Sequence, residues 1–582
     1  MDNSFTHVAV QVPRLSGFDK SHQNLLTSKC GTITPIMIDE LIPGSKVHLR
    51  LALSAQLPPL AADTFMRCQI KCEAFFVPWR LIAGSFESWF TDTKVSFQGG
   101  FGSATKFTDM VGFLPTIGNF GAATGPDGTT PLHQVVQATG SLMDYLGYKS
   151  GQARLASALF TAGPLLAYHR AYDDWYRNTL VQRPVFVRPQ ATYAVSSLGN
   201  QSQTTSPSSS SLCAATAPFY FYTENVRPSS SSPVQNYQFT SLDSLKLADG
   251  KYLYELRQRN FGLDYFTTAT PSPQLGNAMV VGFGTDPNGA GDSSHFSIAA
   301  LRAANSLQQF SERNMLSGVR YQDQIRARYG ASLSSGVAQR SLFLGGATFD
   351  IYTKGIYQQG QDISTSGNLS GTASLSTNNP FQSTTGAKFG SAAAAGSGLN
   401  ISFEANEPGY LLVNATLVPK VTYATGIHRR WRHYVGAGSI TDMANPILQN
   451  VGPQPIDESE LTGENIGTVF GYTDRYAEFK TMEDELHGLV RDGESLEAFA
   501  LQRSFPSGSA PAINSSYLEI PTNYMDQVTA VTADLSNYGY WMDCYFDYKV
   551  AQPLAKYSLP SLQDPAYEHG RTIVMQKGGQ KL

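Results

Sequence analysis

Lys46-Val47-His48-Leu49-Arg50-Leu51-Ala52-Leu53-Ser54-Ala55-Gln56-Leu57 alternates apolar with polar residues, and Met66-Arg67-Cys68-Gln69-Ile70-Lys71-Cys72-Glu73-Ala74-Phe75-Phe76 repeats the pattern. In the first run Val47, Leu49, Leu51, Leu53, Ala55 and Leu57 share a face opposite Lys46, His48, Arg50, Ser54 and Gln56, with Ala52 a small apolar exception. In the second, Met66, Cys68, Ile70, Cys72, Ala74 and Phe76 oppose Arg67, Gln69, Lys71 and Glu73. Successive side chains on a strand point to opposite faces, so this period of two predicts two half-buried strands. Pro58, Pro59 and Asp63 interrupt the pattern between them. The two strands are therefore either antiparallel neighbours or members of two facing sheets.

Composition agrees with a β protein rich in loops. Among 582 residues there are 52 Gly and 31 Pro, 11% aromatic and only 15% charged, which disfavours a helical bundle. All-β chains carry long insertions on a single core, so the length does not require many domains. The net charge of −4 argues against a free-standing basic nucleic-acid binder. If the protein encloses nucleic acid, counterions or a basic partner must neutralise much of the phosphate charge. Five scattered cysteines (Cys30, Cys68, Cys72, Cys213, Cys544) are expected to be buried reduced thiols. No signal-peptide core stands at the start, and no run approaches the ~18 apolar residues of a membrane span, so a soluble protein made in a cytoplasm is expected.

Other segments take their places around these strands. Pro43-Gly44 is a turn by its own chemistry, and residues 94–135, rich in Gly, Thr and Pro, read as a long surface loop. Leu165, Tyr168, Tyr172, Trp175 and Tyr176 recur at three-and-four spacing, which predicts an amphipathic helix. Ala300, Ala303, Leu307 and Phe310 predict another that Gly318 ends. Two stretches, 187–258 with its serine runs Ser208–Ser211 and Ser229–Ser232, and 359–400, are too polar or too simple to build a core. Both read as exposed insertions. A closing strand alternates Met542, Cys544, Phe546, Tyr548 and Val550 against Asp543, Tyr545, Asp547 and Lys549.

A series of motifs, in order, resembles the major capsid protein of the Microviridae, the small icosahedral single-stranded DNA phages, with the gokushovirus-like branch the nearer match. The series begins with Pro35-Ile36-Met37-Ile38-Asp39-Glu40-Leu41-Ile42-Pro43-Gly44 and Phe75-Phe76-Val77-Pro78-Trp79-Arg80-Leu81. Tyr168-His169-Arg170-Ala171-Tyr172-Asp173-Asp174-Trp175-Tyr176-Arg177-Asn178 continues it, then Asp264-Tyr265-Phe266-Thr267-Thr268-Ala269-Thr270-Pro271-Ser272-Pro273-Gln274-Leu275-Gly276. The last of these departs from the family pattern at Thr268, Thr270, Leu275 and Ser272, where the pattern has Trp. Gln339 to Gly346, Tyr423 to Arg432, Phe470 to Lys480 and Pro553 to Leu562 complete the series, while the tail to Leu582 departs from it.

The resemblance implies an all-β core with helical insertions, specifically an eight-stranded antiparallel viral jelly roll with long inter-strand loops. The expected division is an N-terminal arm and first strand (1–45), jelly-roll strands with loop and helix insertions (46–186), an exposed Ser/Thr-rich insertion (187–258), a helical and extended insertion (259–358), a low-complexity insertion (359–400), the remaining strands (401–550) and a C-terminal tail (551–582). The implied function is structural: identical copies close a T=1 icosahedral shell around a circular single-stranded DNA genome, assembled in the host bacterial cytoplasm, with surface loops contacting a host cell-surface receptor. A small basic DNA-binding protein and pilot-type minor virion proteins are the implied virion partners, and no membrane, cofactor, metal or catalytic residue is implied.

The run His428-Arg429-Arg430-Trp431-Arg432-His433 is the most basic short segment. Arginine matches phosphate in charge and geometry and Trp offers a stacking face, so Arg429, Arg430, Trp431 and Arg432 are candidate DNA contacts. The competing reading has these arginines paired with acidic neighbours at a strand end or between subunits. Arg14 and Lys20 in the N-terminal arm and Lys577 and Lys581 in the tail carry the same two readings. Ser209 and Ser230 mark the insertion expected to face the host. Glu458-Ser459-Glu460 and Glu483-Asp484-Glu485 read as solvated loop charge, and neither a G-x-S-x-G elbow nor zinc-ligand spacing stands out. A secreted or tail-associated carbohydrate-binding β protein is the alternative from another class, but it leaves the ordered motif series unexplained.

Overall fold

The computed structural model describes residues 7–90, 114–185, 238–275, 298–358, 388–431, 446–529, 539–554 and 571–576, with short breaks inside these spans, the longest at 149–156. Ten strands build two facing, mostly antiparallel sheets: β1 (Ser16–Asp19), β2 (His22–Ser28), β3 (Thr32–Leu41), β4 (Ser45–Gln56), β5 (Cys68–Pro78), β6 (Leu342–Asp350), β7 (Tyr352–Gln358), β8 (Lys388–Ala405), β9 (Gly409–Pro419) and β10 (Tyr540–Gln552). The first sheet runs β3-β9-β5-β6, extended beyond β3 by Arg257–Gln258, and the second runs β7-β8-β4-β10, with β1 and β2 both pairing β10. The two runs that open the sequence, β4 and β5, thus lie in different sheets. At the chain ends, His7–Val12 pairs antiparallel with Arg571–Gln576.

The main core lies between the sheets. Val47, Leu49, Leu51, Leu53 and Ala55 of β4 and Met542, Cys544, Phe546, Tyr548 and Val550 of β10 face Cys68, Ile70, Cys72, Ala74 and Phe76 of β5 and Leu411, Val413, Ala415 and Leu417 of β9. At roughly 1.5–3 kcal/mol for each large apolar side chain fully buried, this layer is the chief stabilising term. Pro35 in β3 cannot donate to the ladder, and the register with β9 shifts beside it, between Met37↔Val413 and Pro35↔Asn414. Cys30, Cys68, Cys72 and Cys544 are buried free thiols. Burial pushes Cys68 and Cys544 up to about 12 and the other two well above the usual thiol range, so all four behave as small apolar groups; Cys213 lies outside the described residues.

The outer face of the first sheet is buried too. Ile33, Phe75, Val77, Tyr410 and Leu412 pack beneath the helix α1 (Gly163–Trp175), against Leu165, Leu166, Tyr168 and Tyr172. Two-sided burial explains why every position of β9 is buried and why its sequence lacks alternation. The Tyr168 hydroxyl donates to the Ile33 carbonyl at 2.7 Å and accepts from the Arg257 backbone N at 2.9 Å, tying the helix to the sheet edge. Fully buried Arg257 pairs with Asp249 and donates to His169 Nδ1 at 3.0 Å, while His169 Nε2 donates to the Leu253 carbonyl at 2.8 Å.

Three expectations change. Within the stretch read as surface loop 94–135, Ile117, Phe120 and Leu132 are buried beneath α1's neighbours, so its latter part is core; residues 91–113 are not described. Within 187–258, residues from 238 on supply buried Phe239, Leu245, Leu253 and Tyr254 to the core, and residues 187–237 lie outside the described residues. Residues 388–400, read as the end of a low-complexity insertion, begin β8 and pair with β4, Ala394 opposite Ala55 and Leu399 opposite Leu51. Small residues here signal a strand packed closely against Phe349, whose ring approaches Gly396.

Candidate functional site

The basic run forms a short turn, Arg429–Trp431, that follows the β9 end and lines a cleft of about 250 Å³. Its opposite wall is acidic. Arg429 Nη1 lies 3.4 Å from Glu460 and its Nε 3.7 Å from Glu478, and both carboxylates are almost fully buried. The same Nη1 donates to the Pro455 carbonyl at 2.6 Å. Tyr265 donates its hydroxyl to Glu460 at 2.8 Å, and Tyr423 donates to Asp264 at 3.0 Å. Burial raises both phenols above the ordinary tyrosine range, aided by the neighbouring carboxylates. Arg429 is therefore a counter-ion held by its own subunit.

Its neighbours in the run differ. Trp431 is 72% exposed, and Arg430 is half-buried with its backbone N donating to His428 Nδ1 at 3.1 Å. Arg432 lies outside the described residues, as do Arg14, Lys577, Lys581, Ser209 and Ser230. Lys20 forms a 2.8 Å ion pair with Asp39, which also accepts from Tyr548 at 2.6 Å.

The acidic clusters read as solvated are partly interior. Glu460 is buried at the start of a helical turn, and burial, with Asp264, Glu460 and Glu485 nearby, pushes the Glu483 carboxyl up to about 8. These carboxylates reach the cleft from segments remote in sequence, so local pattern carried no sign of their burial. Among the described residues no cluster of His, Cys, Asp and Glu suits a metal ion. No helix there is long and apolar enough to cross a membrane.

A second polar network fixes the insertions to α1. The Asp174 carboxylate pairs with Arg170 at 2.9 Å and accepts from the backbone N and hydroxyl of Ser341 at 2.9 and 2.8 Å. Arg340 stacks 3.7 Å over Trp175, and Arg320 donates to the Asp173 and Asp174 carbonyls. Such buried charge tolerates loss of one partner poorly. Its chemistry is architectural, placing the segment from 320 to 341 against the shell of the core.

Comparison with known proteins carries this architecture to function. Residues 7–562 match the family model described as capsid protein (F protein). The capsid protein VP1 of Chlamydia phage 1 is 24% identical over 97% of this chain and 98% of its own length. VP1 of Bdellovibrio phage phiMH2K is 24% identical over 95% and 97%, and VP1 of Spiroplasma virus 4 is 23% identical over 46% of each chain.

Proposed function

The chain belongs to the phage capsid (F protein) family and is a structural major capsid protein, and from that premise we propose how its parts serve a small icosahedral shell around circular single-stranded DNA. The observation that carries the reading is the match along nearly the whole chain, joined to a two-sheet core with long insertions. A viral jelly roll of eight strands is the finer fold reading. Counting β1 with β2 and β7 with β8, the orders β3-β9-β5-β6 and β8-β4-β10-β2 support it, because successive strands from β2 to β5 cross between facing sheets. Symmetric closure then follows if one patch on a subunit meets a different patch on its neighbour with a rotation that closes.

Within the basic run, Arg430 and exposed Trp431 are the members assigned to DNA, with Arg432 beside them, since stacking and phosphate pairing need accessible groups. Arg429 has its charge engaged by Glu460 and Glu478 and serves the fold. With a net charge of −4 the chain itself neutralises none of the phosphate charge, which favours a small basic DNA-binding partner inside the shell alongside counterions. The polar stretch before residue 238, with Ser209 and Ser230, is assigned to an outward protrusion that meets a host receptor. Sedimentation velocity and negative-stain imaging of material from infected cells test the whole reading. Uniform megadalton spheres containing DNA are expected; a 63.2 kDa species or small DNA-free oligomer refutes it.

A further inference from the structure

Two surfaces lie outside the hydrophobic cores, the second of them bordering the cleft. One is a helical hairpin, α2 (Ile298–Ser317) and α3 (Tyr321–Tyr329), closed by Gly318 at φ 87°. Among the described side chains α3 buries none of its own. Residues 298–330 hold five arginines against Glu312 and Asp323, a net +3. Leu307, Phe310, Leu316 and Tyr329 are exposed, Leu316 at 69%. The other surface is an irregular arm, 479–497, with six carboxyl groups against Lys480 and Arg491, a net −3 at neutral pH, where Glu483 keeps its proton. Phe479, Met482, Leu489 and Leu496 are exposed along it, Met482 at 77%.

An isolated exposed leucine needs no explanation. Here, however, aliphatic side chains recur on surfaces whose net charges are of opposite sign. The hairpin is anchored to α1 through Arg320, whereas the arm is held at the far end of β9 by the Lys420–Asp484 pair at 2.6 Å. Different patches with complementary charge and shared apolar content suit a heterologous contact between identical subunits. DNA would satisfy the arginines but offers aliphatic Leu307 and Leu316 no matching surface.

We propose that the arginine-rich hairpin of one subunit docks on the acidic arm of a neighbouring copy of this chain. The proposal rests on the shell-forming reading and names the two surfaces that execute it. Asp492, Glu494 and Glu497 on the arm face the charge of Arg313 and Arg326 across the contact, while Met482 and Leu489 meet the hairpin's apolar side chains.

Charge reversal tests this with full-length protein. Arg313→Glu with Arg326→Glu, and separately Asp492→Lys with Glu494→Lys, alter exposed positions; circular dichroism and the melting profile confirm that each variant folds. Sedimentation velocity at low and moderate salt then reads self-association. Each reversal alone is expected to weaken it about tenfold or more, and the variant carrying both to regain most of the loss. Salt should weaken the wild-type contact through screening of the exposed charges. Wild-type association in both single reversals, or failure of the combined variant to recover, overturns the hairpin–arm contact while leaving the shell reading intact. Normal shells lacking DNA in the arginine variant also overturn it and assign the hairpin to nucleic acid. A wild-type chain that stays monomeric at every concentration, and is monomeric in infected cells, removes the shell reading itself.

Discussion

Replacing Arg429 with Met separates the two roles open to the basic turn. The guanidinium sits 3.4 Å from Glu460 and 3.7 Å from Glu478, whose side chains are 2% and 3% exposed. At an effective dielectric of ~20, opposite unit charges about 3.5 Å apart attract by roughly 4–5 kcal/mol, before the desolvation that opposes it. Removing one partner of a buried pair costs about 3–5 kcal/mol, because the remaining charge stays buried and uncompensated. Two carboxylates share Arg429, so the upper half of that range is expected, with the hydrogen bond to Pro455 included. The triple variant R429M/E460Q/E478Q leaves no orphan charge and should recover most of the loss. Urea unfolding of the purified subunits, followed by tryptophan fluorescence, reads the effect as a midpoint shift at constant slope. Particles made from each variant are assayed in parallel for DNA content. An unshifted midpoint for R429M with DNA-poor particles would refute the structural assignment of Arg429 and return it to the genome contact.

Three further outcomes follow from the interior. Glu483 holds its proton up to about pH 8 in the folded chain, while the unfolded carboxyl releases it near its ordinary value of 4.5. Folding thus binds a proton between those values, and the group's contribution is lost as pH rises through that window; E483Q should be more stable than wild type at pH 8 by roughly 1–2 kcal/mol, and equal to it near pH 4.5. Burial and then the Arg257 charge hold His169 well below the usual histidine range, so the unfolded chain protonates first and stability falls as pH drops below ~6.5. H169Q should flatten the melting-temperature slope between pH 7.5 and 5.5, and an unchanged slope would remove His169 as its source. Gly31 turns the chain between β2 and β3 at φ 69°, with an added Cβ only 2.5 Å from the Ile520 side chain; G31A should cost about 1–3 kcal/mol or more in urea unfolding, and a neutral result would show that the turn relaxes freely.

How much of this was legible depended on which contacts were local. β4 and β10 each face one core, so their alternation wrote the strand plainly into the sequence. β9 is buried on both faces and shows only an apolar run, which marks a strand but not its place at the centre of a sheet. The alanines and glycines of β8 look like low complexity, yet they pair with β4 along the strand, and at Gly396 an added Cβ would come 3.1 Å from the Phe349 ring. The site was least legible. Arg429 was visible as a cation, yet its partner Glu460 lies 31 residues along and Glu478 further still, and nothing local to either glutamate announces burial. The pairing of hairpin and arm charges has no short-range signature at all, since it lies between copies of the chain.

The position of β10 has a consequence for synthesis. It sits between β4 and the two N-terminal strands, and neither β1 nor β2 pairs with anything else in that sheet. A ribosome adding ~5–20 residues per second therefore leaves the edge of β4 that β10 covers open, and the apolar faces of Leu49 and Leu51 without their Phe546 and Tyr548 neighbours, for roughly half a minute to a minute and a half, with the opposite edge open as well until β8 is made. During that interval the nascent chain is exposed to edge-to-edge aggregation and depends on whatever holds it apart. A product terminated before residue 540 lacks this strand altogether, so β1 and β2 lose their partner in the sheet and Leu49 and Leu51 stay without Tyr548 and Phe546.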